Sequence, residues 1–309
     1  MEANDLNDID HCKANIERML HYSQTKVIFP LITFGLLKDM RDTGKCVFAD
    51  AEIRRSYESA VRYMIDYLGH TLHIGGKYYD AYPSRNLPRY GVVKTIAKNR
   101  YEILAPYTTC ADVLVAWIPE RIKNHISDRL GVILQFGDAV FRLRMAEDAG
   151  QFVQTLQSQM NKNPSNFEII SFALIKVHLE KFACKVYRDT RTSAHDSGVD
   201  ISTTFGVVYQ IKKLKVHSKA TADSIYAELK LNFDSERLHD GNVILVIDDI
   251  SKDVKNYLID MKVQSISRSD LLKLATQFED VEERQKVLRI VYEEFSREYA
   301  SVIKCKQAE

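Results

Sequence analysis

A continuous apolar run in the C-terminal half of the sequence constrains the fold more than any other feature. In NVILVIDDI, residues 242–250, the five successive positions from Val243 to Ile247 carry aliphatic side chains. Successive residues of a β-strand point to opposite faces of the sheet, so this strand is apolar on both faces and needs cover on both. Helical patterns begin near Thr221 and at Ser269, before and after the run. We therefore predict a mixed α/β fold in which helices flank a sheet.

The best candidate for a domain boundary is a polar turn cluster, NKNPSN, at residues 161–166. Asparagine, serine and proline in close succession interrupt regular structure. Residues 1–160 show mainly helical spacing together with one hairpin pattern, whereas residues 161–309 alternate between helix and strand. The chain has 309 residues, enough for two domains of about 150 residues each. We predict a mainly helical N-terminal region and an α/β C-terminal domain.

Composition and charge limit the partners and the compartment. The net charge is only +1, so overall charge neither supports nor excludes a nucleic-acid partner, and any basic surface must be local. The five cysteines are scattered without metal-binding spacing, and no apolar stretch of about 18 residues is present to span a membrane. The first residues, MEANDLNDIDHCK, are acidic and lack the apolar core of a secretion signal. We expect a cytoplasmic protein with reduced cysteines and no membrane partner.

Residues 75–107 form a basic, tyrosine-rich segment. They contain six basic and two acidic residues together with six tyrosines, and β-like runs at 90–96 and 100–104 predict a hairpin. Cations bind phosphates and aromatic rings stack on bases, so the segment is a candidate DNA-binding surface; the alternative is a tyrosine-rich hairpin without a ligand. Helices followed by a basic hairpin are also compatible with a winged-helix module. Five residues of the segment are candidate DNA contacts: Arg85, Arg89, Lys94, Lys98 and Arg100.

The sequence HDSGVDISTTFGVVYQIKKLK, residues 195–215, carries the polar groups that indicate chemistry. Gln210 and Lys212 are two positions apart and therefore project from the same face of a strand, whereas their neighbours face the core. A hairpin that turns at residues 203–206 places Asp200 beside Gln210 across the ladder. A carboxylate, an amide oxygen and an ammonium group then converge on one spot.

These groups suit the hydrolysis of a phosphodiester. Mg²⁺ prefers hard oxygen ligands and binds through one or two carboxylates together with substrate phosphate oxygens. The metal acidifies a bound water and offsets charge in the transition state, and Lys212 is placed to orient or deprotonate that water. Gln210 is neutral, so a further carboxylate is expected from elsewhere in the chain. The best candidate is Glu168, near the start of the preceding helix, which gives Asp200, Gln210 and Glu168 as the predicted metal ligands.

Two segments resemble the PD-(D/E)xK nuclease superfamily, in particular the Mrr-like subset whose third motif is QxK. They are NFEIISFALIKVHLEKFACKVY, residues 166–187, and SGVDISTTFGVVYQIKKLK, residues 197–215. Val199 stands where the family often has a proline before its metal-binding aspartate. The matching residues are Phe167-Glu168 of the first helix, Gly198-Val199-Asp200 of the aspartate strand and Gln210-Ile211-Lys212 of the QxK motif.

The resemblance implies a restriction-endonuclease-like fold, with a mixed sheet flanked by helices, and Mg²⁺-dependent cleavage of double-stranded DNA. It assigns Asp200 as the principal metal ligand, Gln210 as a ligand or positioning residue, and Lys212 as the catalytic lysine. The sequence IERMLHYSQTKVIFPLITFGLLKDMR, residues 16–41, also resembles type II restriction enzymes of the HaeII kind. We predict a site-specific restriction-type endonuclease that acts as a homodimer, because two DNA strands must be cut.

Several of these motifs have a simpler interpretation. Ser165-x-x-Glu168 is also a capping box, in which Glu168 serves only to bind the backbone amide of Ser165. QxK recurs at residues 24–26 and ExK at residues 228–230, so most of the specificity comes from the aspartate strand upstream of Gln210. Three lysines in or after the motif are expected to contact DNA phosphates rather than act in chemistry: Lys213, Lys215 and Lys219.

Three other functions also fit the sequence. A modification-dependent Mrr-like endonuclease would bind methylated DNA, and an enzyme that resolves branched DNA would prefer junctions. A non-catalytic DNA-binding protein could retain the nuclease fold, and the neutral Gln210 keeps this alternative open. The presence of both Asp200 and Lys212 favours the enzyme.

Overall fold

A computed structural model of the chain describes residues 3–22, 27–69, 86–189 and 199–298. The chain divides into two compact units, Met1–Ile133 with Ser296–Glu309 and Leu134–Phe295. The helices at residues 139–162 therefore pack within the second unit, whereas the sequence analysis placed them before the division at residues 161–166. The predicted mixed α/β class is confirmed, with two sheets among the described residues. Within the same residues, no helix is both long and apolar enough to cross a bilayer.

The first unit is mainly helical and contains a small antiparallel sheet. Its helices are α1 (Ala3–Tyr22), α2 (Ile28–Thr43), α3 (Asp50–Leu68), α4 (Ala105–Thr109) and most of α5 (Ala111–Gly137). Its strands are β1 (Val47–Ala49), β2 (Val93–Ala97) and β3 (Arg100–Ile103), arranged in the order β1-β3-β2. Strands β2 and β3 form the predicted hairpin, in which Asn99 adopts the left-handed conformation that the tight turn requires, at φ 57°.

Helices α2 and α3 approach each other closely. Helix α2 is buried along the whole stretch from Pro30 to Leu37, and Pro30 lies in the first turn, where a missing N–H breaks no helical hydrogen bond. At Gly35 the two backbones are so close that a Cβ atom would lie 2.4 Å from the carbonyl oxygen of Ser56 on α3. Glycine at position 35 therefore sets the distance between the two helices.

The second unit is built on a five-stranded mixed sheet. Its strands are β4 (Val186–Arg188), β5 (Ile201–Thr203), β6 (Val208–Val216), β7 (Val243–Ile250) and β8 (Gln264–Ser267), which lie side by side in that order. Strand β5 is antiparallel to both of its neighbours, β4 and β6, whereas β7 is parallel to both β6 and β8. The run NVILVIDDI forms β7, an internal strand with a parallel neighbour on each side, as its apolar character predicts.

Helices cover both faces of this sheet. The helices of the second unit are α6 (Ala139–Glu147), α7 (Ala149–Lys162), α8 (Pro164–Glu180), α9 (Lys219–Asn232), α10 (Ser235–His239), α11 (Lys252–Asp260), α12 (Arg268–Thr276) and α13 (Val281–Glu298).

On one face of the sheet, Val208 and Leu245 belong to an apolar cluster with Ile225 and Leu229 of α9 and Leu258 of α11. Helix α8 contacts β6 and helix α12 contacts β7, but neither contributes a residue to that cluster. Helices α8 and α12 therefore cover the opposite face.

A buried ion-pair cluster joins α8 and α13 to the edge strand β4. Arg188 donates from Nε and Nη2 to Oε1 of Glu168, at 3.0 and 2.7 Å, and from Nη1 to Oε2 of Glu294, at 3.0 Å. The side chains of Arg188 and Glu294 are each only 4% exposed. Removing the guanidinium would take the shared cation away from two carboxylates, of which that of Glu294 is almost fully buried, and this is strongly unfavourable.

Replacing Gly35 by alanine should destabilise the first unit. The new methyl group would meet backbone rather than a movable side chain, so the helices must separate, at a cost of about 1–3 kcal/mol in the free energy of unfolding. Gly131→Ala is the matched control, because that glycine is also helical and a Cβ there meets nothing within 4 Å. The control should be neutral or stabilising by about 0.5–1 kcal/mol. Urea unfolding followed by circular dichroism measures both, and equal stabilities would contradict the close contact.

Replacing Arg188 by alanine should destabilise the second unit by about 3–5 kcal/mol, because it leaves buried carboxylates uncompensated. Arg289→Ala is the matched control, since Arg289 pairs with Glu293 at 3.8 Å and both side chains are more than half exposed, at 61% and 55%. An exposed pair contributes about 0–1 kcal/mol, so the control should unfold almost as the parent protein does. A loss at Arg188 as small as the loss at Arg289 would show that the cluster does not hold the unit together.

Candidate active site

The hairpin of β5 and β6 brings Asp200 next to Gln210. Ile201 pairs with Tyr209 in an antiparallel register, and the backbone amide of Asp200, directly before β5, donates to the carbonyl oxygen of Tyr209 at 3.1 Å. The backbone amide of Ile211 donates to Oδ2 of Asp200 at 2.6 Å, which fixes the carboxylate beside the middle of β6. The turn between the strands contains Gly206 at φ 80°, a conformation that glycine adopts without strain. The predicted hairpin with its turn at residues 203–206 is therefore confirmed.

Gln210 is a buried polar residue whose side-chain amide oxygen has no hydrogen-bond partner among the described residues. Its side chain lies on the same face of the sheet as Val208, which packs against α9 and α11. The residue is only 4% exposed, and its Oε1 atom is buried without a hydrogen-bond partner among the described residues. Leaving a buried acceptor unpaired costs about 1–3 kcal/mol, so such an atom calls for a bound group that satisfies it.

Lys212 projects from the same face as Gln210 and meets a carboxylate from the neighbouring helix. Its Nζ lies 2.8 and 2.9 Å from the two oxygens of Glu228 on α9. The Lys212 side chain is 16% exposed and that of Glu228 is 47% exposed, so the pair opens to solvent on the helix side. The structure thus places Gln210, Lys212 and Glu228 on one face of the sheet, with the Asp200 carboxylate beside β6 at Ile211.

Glu168 belongs to a different part of the unit. Arg188, which binds the Glu168 carboxylate, pairs with Ile201 in the sheet, and paired residues share a face. Ile201 in turn pairs with Tyr209, three residues before Lys212, so Lys212 is on the opposite face from Arg188 and Glu168. The structure therefore brings Gln210 and Lys212 together on one face, with the Asp200 carboxylate bound at the Ile211 amide, but directs Glu168 to the buried cluster of Arg188.

The capping-box interpretation of Glu168 is wrong. Helix α8 begins two residues earlier than the box requires, with Pro164 in its first turn and Asn163 as the N-cap. The side chain of Asn163 accepts a hydrogen bond from the amide of Asn166 at 2.8 Å, which is the role assigned to Ser165 in the box. Proline in the first turn favours this earlier start, because its fixed φ suits the helix and its missing N–H has no partner there.

The lysines that follow the motif differ in their surroundings. Lys213 donates to the carbonyl oxygens of Met160 and Asn161, both at 2.8 Å, and so caps the C-terminus of α7. Lys215 is exposed at the end of β6. Lys219 is exposed at the start of α9, with its ammonium 5.0 Å from the ring centre of Tyr257.

The candidate DNA contacts of the first unit lie on and near its hairpin. Lys98 and Arg100 are exposed at the tip, and Arg89 is exposed before β2. Lys94 is exposed too, but its ammonium pairs with Glu102 at 2.7 Å across the hairpin. Arg85 lies outside the described residues.

Glu228 is the site residue that the sequence analysis missed. The sequence analysis considered Glu228 only as the first residue of the ExK at residues 228–230, which was rejected as an alternative to the QxK motif at Gln210. The signal that identifies Glu228 is its position relative to two buried residues of α9. It comes three residues after Ile225 and directly before Leu229, which places it at the margin of the buried face of the helix. A helix that connects two parallel strands packs back onto the sheet, so a polar residue at that margin reaches the side chains of the preceding strand.

Comparison with known proteins provides no family for this chain. The sequence matches no protein-family model and none of the curated proteins. Among the described residues, no group of three or more His, Cys, Asp or Glu side chains is arranged to hold a metal ion. Any function must therefore be inferred from the site that contains Asp200, Gln210, Lys212 and Glu228.

Proposed function

We propose that this chain is a Mg²⁺-dependent endonuclease that cleaves double-stranded DNA. The single observation that carries the proposal is the buried Oε1 of Gln210, which has no partner among the described residues, one position before the amide that binds the carboxylate of Asp200. An oxygen without a partner at a site that also holds a carboxylate and an ammonium group suits a hard cation and a phosphate.

Asp200 and Gln210 would hold the metal. Both offer oxygen atoms, which Mg²⁺ prefers, and two protein ligands leave room for water and for phosphate oxygens of the substrate. When bound there, Mg²⁺ would lower the pKa of a coordinated water and polarise the phosphoryl group. The hydrogen bond from the Ile211 amide holds the Asp200 carboxylate in place before any cation binds.

Lys212 would act on the phosphate as a cation. Its nitrogen lies 2.8 Å from an oxygen of Glu228, which accepts hydrogen bonds, so Lys212 is placed as a donor. An ammonium on the same face as the metal ligands would orient the scissile phosphate and offset the charge that develops on its oxygens. This role differs from deprotonation of the attacking water, the other role that the sequence leaves open for Lys212.

The architecture of the second unit supports a restriction-endonuclease-like fold. The site lies on an antiparallel meander that continues through a helix into parallel strands, and helices cover both faces of the resulting mixed sheet. The resemblance of residues 166–187 and 197–215 to the Mrr-like QxK subset leads to the same proposal. A type II restriction enzyme, acting as a homodimer with one site for each strand, is the form we favour.

The first unit would contact the DNA. Its helices and its sheet of order β1-β3-β2, with a basic hairpin tip, are compatible with a winged-helix module. Lys98 and Arg100 are the exposed cations at that tip. They would bind phosphates and so position the duplex without reading its sequence.

The central test is plasmid cleavage. Supercoiled DNA incubated with the protein and Mg²⁺ should be converted to linear or discrete fragments, and EDTA should abolish the reaction. Lys212→Ala and Asp200→Asn should each lower the rate about 100-fold or more, because each removes charge stabilisation or a metal ligand. Lys230→Ala is the matched control, since this exposed lysine lies on α9 above the ring of Tyr226, and it should cut at the parent rate. DNA left intact by the parent protein in Mg²⁺ and Mn²⁺ would refute the proposal.

A DNA-binding protein without nuclease activity is the second candidate. The observation that favours it is the engagement of both predicted charged partners, Lys212 by Glu228 and Glu168 by Arg188. In that case DNA should be bound equally in EDTA and in Mg²⁺ and should remain uncut. The same incubation, resolved once on a native gel and once after protein removal, distinguishes the two functions.

The hairpin tip should contribute to DNA affinity through phosphate contacts. Lys98→Ala combined with Arg100→Ala should weaken binding and reduce the slope of log K against log salt by about 2, since each phosphate contact contributes about 0.9. Lys38→Ala is the control, because Lys38 is a partly exposed lysine of the same unit, paired with Asp42 on α2. Fluorescence anisotropy with a labelled duplex at several salt concentrations measures the slope. An unchanged slope would remove the hairpin from the DNA interface.

A further inference from the structure

We propose that Glu228 is a positioning residue for Lys212, an inference that rests on the proposed nuclease function. Glu228 is not part of the QxK motif and lies sixteen residues after Lys212, on the helix that follows the strand. Its role is to hold the Lys212 ammonium at a fixed place beside Gln210, so that the substrate phosphate meets a cation that is already oriented.

Both carboxylate oxygens of Glu228 contact the ammonium group of Lys212. Nζ of Lys212 lies 2.8 Å from one oxygen of Glu228 and 2.9 Å from the other. A lysine side chain has four rotatable bonds and loses much rotamer entropy when it is fixed. A carboxylate that binds the ammonium with both oxygens restricts that freedom before substrate arrives, and preorganised groups stabilise a transition state better than mobile ones.

The helix gives Glu228 a rigid base. Ala222, Ile225 and Leu229 anchor α9 on the sheet and are all at most 5% exposed. Glu228 lies between two of these anchors in sequence, so its Cα cannot move without repacking the core. The Glu228 side chain remains 47% exposed, so water can solvate its carboxylate while it holds the ammonium group.

Glu168 does not serve this purpose. Both nitrogens of Arg188 that face it bind the same oxygen of Glu168, and the pair is on the face opposite Lys212. The acid that completes the Lys212 face therefore comes from α9 rather than from α8.

The test is a double-mutant cycle on DNA cleavage in Mg²⁺. Glu228→Gln should lower kcat roughly ten- to a hundredfold and leave KM for the duplex unchanged, because the orientation of Lys212 is lost but DNA contacts are not. Lys212→Ala should have a larger effect, and the double variant should be no slower than Lys212→Ala alone. Asp223→Asn is the matched control, since it removes one acidic charge from the same helix at a residue bound to Tyr257, and it should cut at the parent rate.

A second readout does not depend on activity. The ion pair slows proton exchange of the ammonium group, so the Lys212 ¹⁵N ammonium resonance should be visible by NMR in the parent protein and in Asp223→Asn. It should broaden beyond detection in Glu228→Gln, and its absence in Lys212→Ala provides the assignment. A resonance that persists in Glu228→Gln would overturn the positioning role.

The outcomes separate this inference from the function on which it rests. If the parent protein cuts DNA and Glu228→Gln cuts at the full rate, only the role of Glu228 is overturned. The same holds if the rate losses of Glu228→Gln and Lys212→Ala multiply in the double variant. A parent protein that never cuts DNA overturns the proposed function and, with it, the catalytic role of Glu228, even if the ammonium resonance responds as expected.

Discussion

The register between β5 and β6 is the constraint on which the candidate site depends. Ile201 and Tyr209 face each other in the ladder, and both are buried. A slip of one residue would turn every side chain of β6 to the other face, which would remove Tyr209 from the core and send Gln210 and Lys212 towards α8. The apolar pair that stabilises the hairpin therefore also brings Asp200 and Gln210 together. Folding and assembly of the site are one event.

The two ion-pair groups of the second unit differ in a way that matters for function. The guanidinium of Arg188 is almost fully enclosed, so any rearrangement would leave buried charges unpaired. The Lys212–Glu228 pair is partly open to solvent, with side chains 16% and 47% exposed, so a phosphate group can approach the ammonium while Glu228 holds it. The first group is suited to hold α8 and α13 on the sheet, whereas the second keeps a cation oriented for a substrate phosphate. Chemistry is therefore expected at Lys212 rather than at Arg188.

Much of the fold was predictable because its signals are local. Residues 199–211 predict two strands joined by a turn, and the unbroken apolar run predicts β7. The hairpin at Asn99 is predictable too, because asparagine tolerates the left-handed conformation of a tight turn. The site was predictable only where its residues lie within one hairpin. The partner of Glu168 could not be foreseen, because Arg188 comes from an edge strand and Glu294 from a helix more than one hundred residues away in sequence. Glu228 was missed because its spacing to Lys212 gains meaning only once α9 is known to pack on that face. The motif pattern alone could not rank it above Glu168.

The neutral side chain at position 210 follows from its burial. Like charges held close together are unfavourable, and a glutamate at this 4% exposed position would bury a second carboxylate near that of Asp200, which is bound at the next residue of β6. Such a strand would require a proton or a cation before the hairpin could form. An amide presents an oxygen in the same place without adding charge, so the hairpin folds first and the donor remains available. The second carboxylate then comes from Glu228, whose side chain is 47% exposed. A glutamine in the motif is therefore compatible with chemistry, because the face divides the oxygen donor and the compensating charge between two elements.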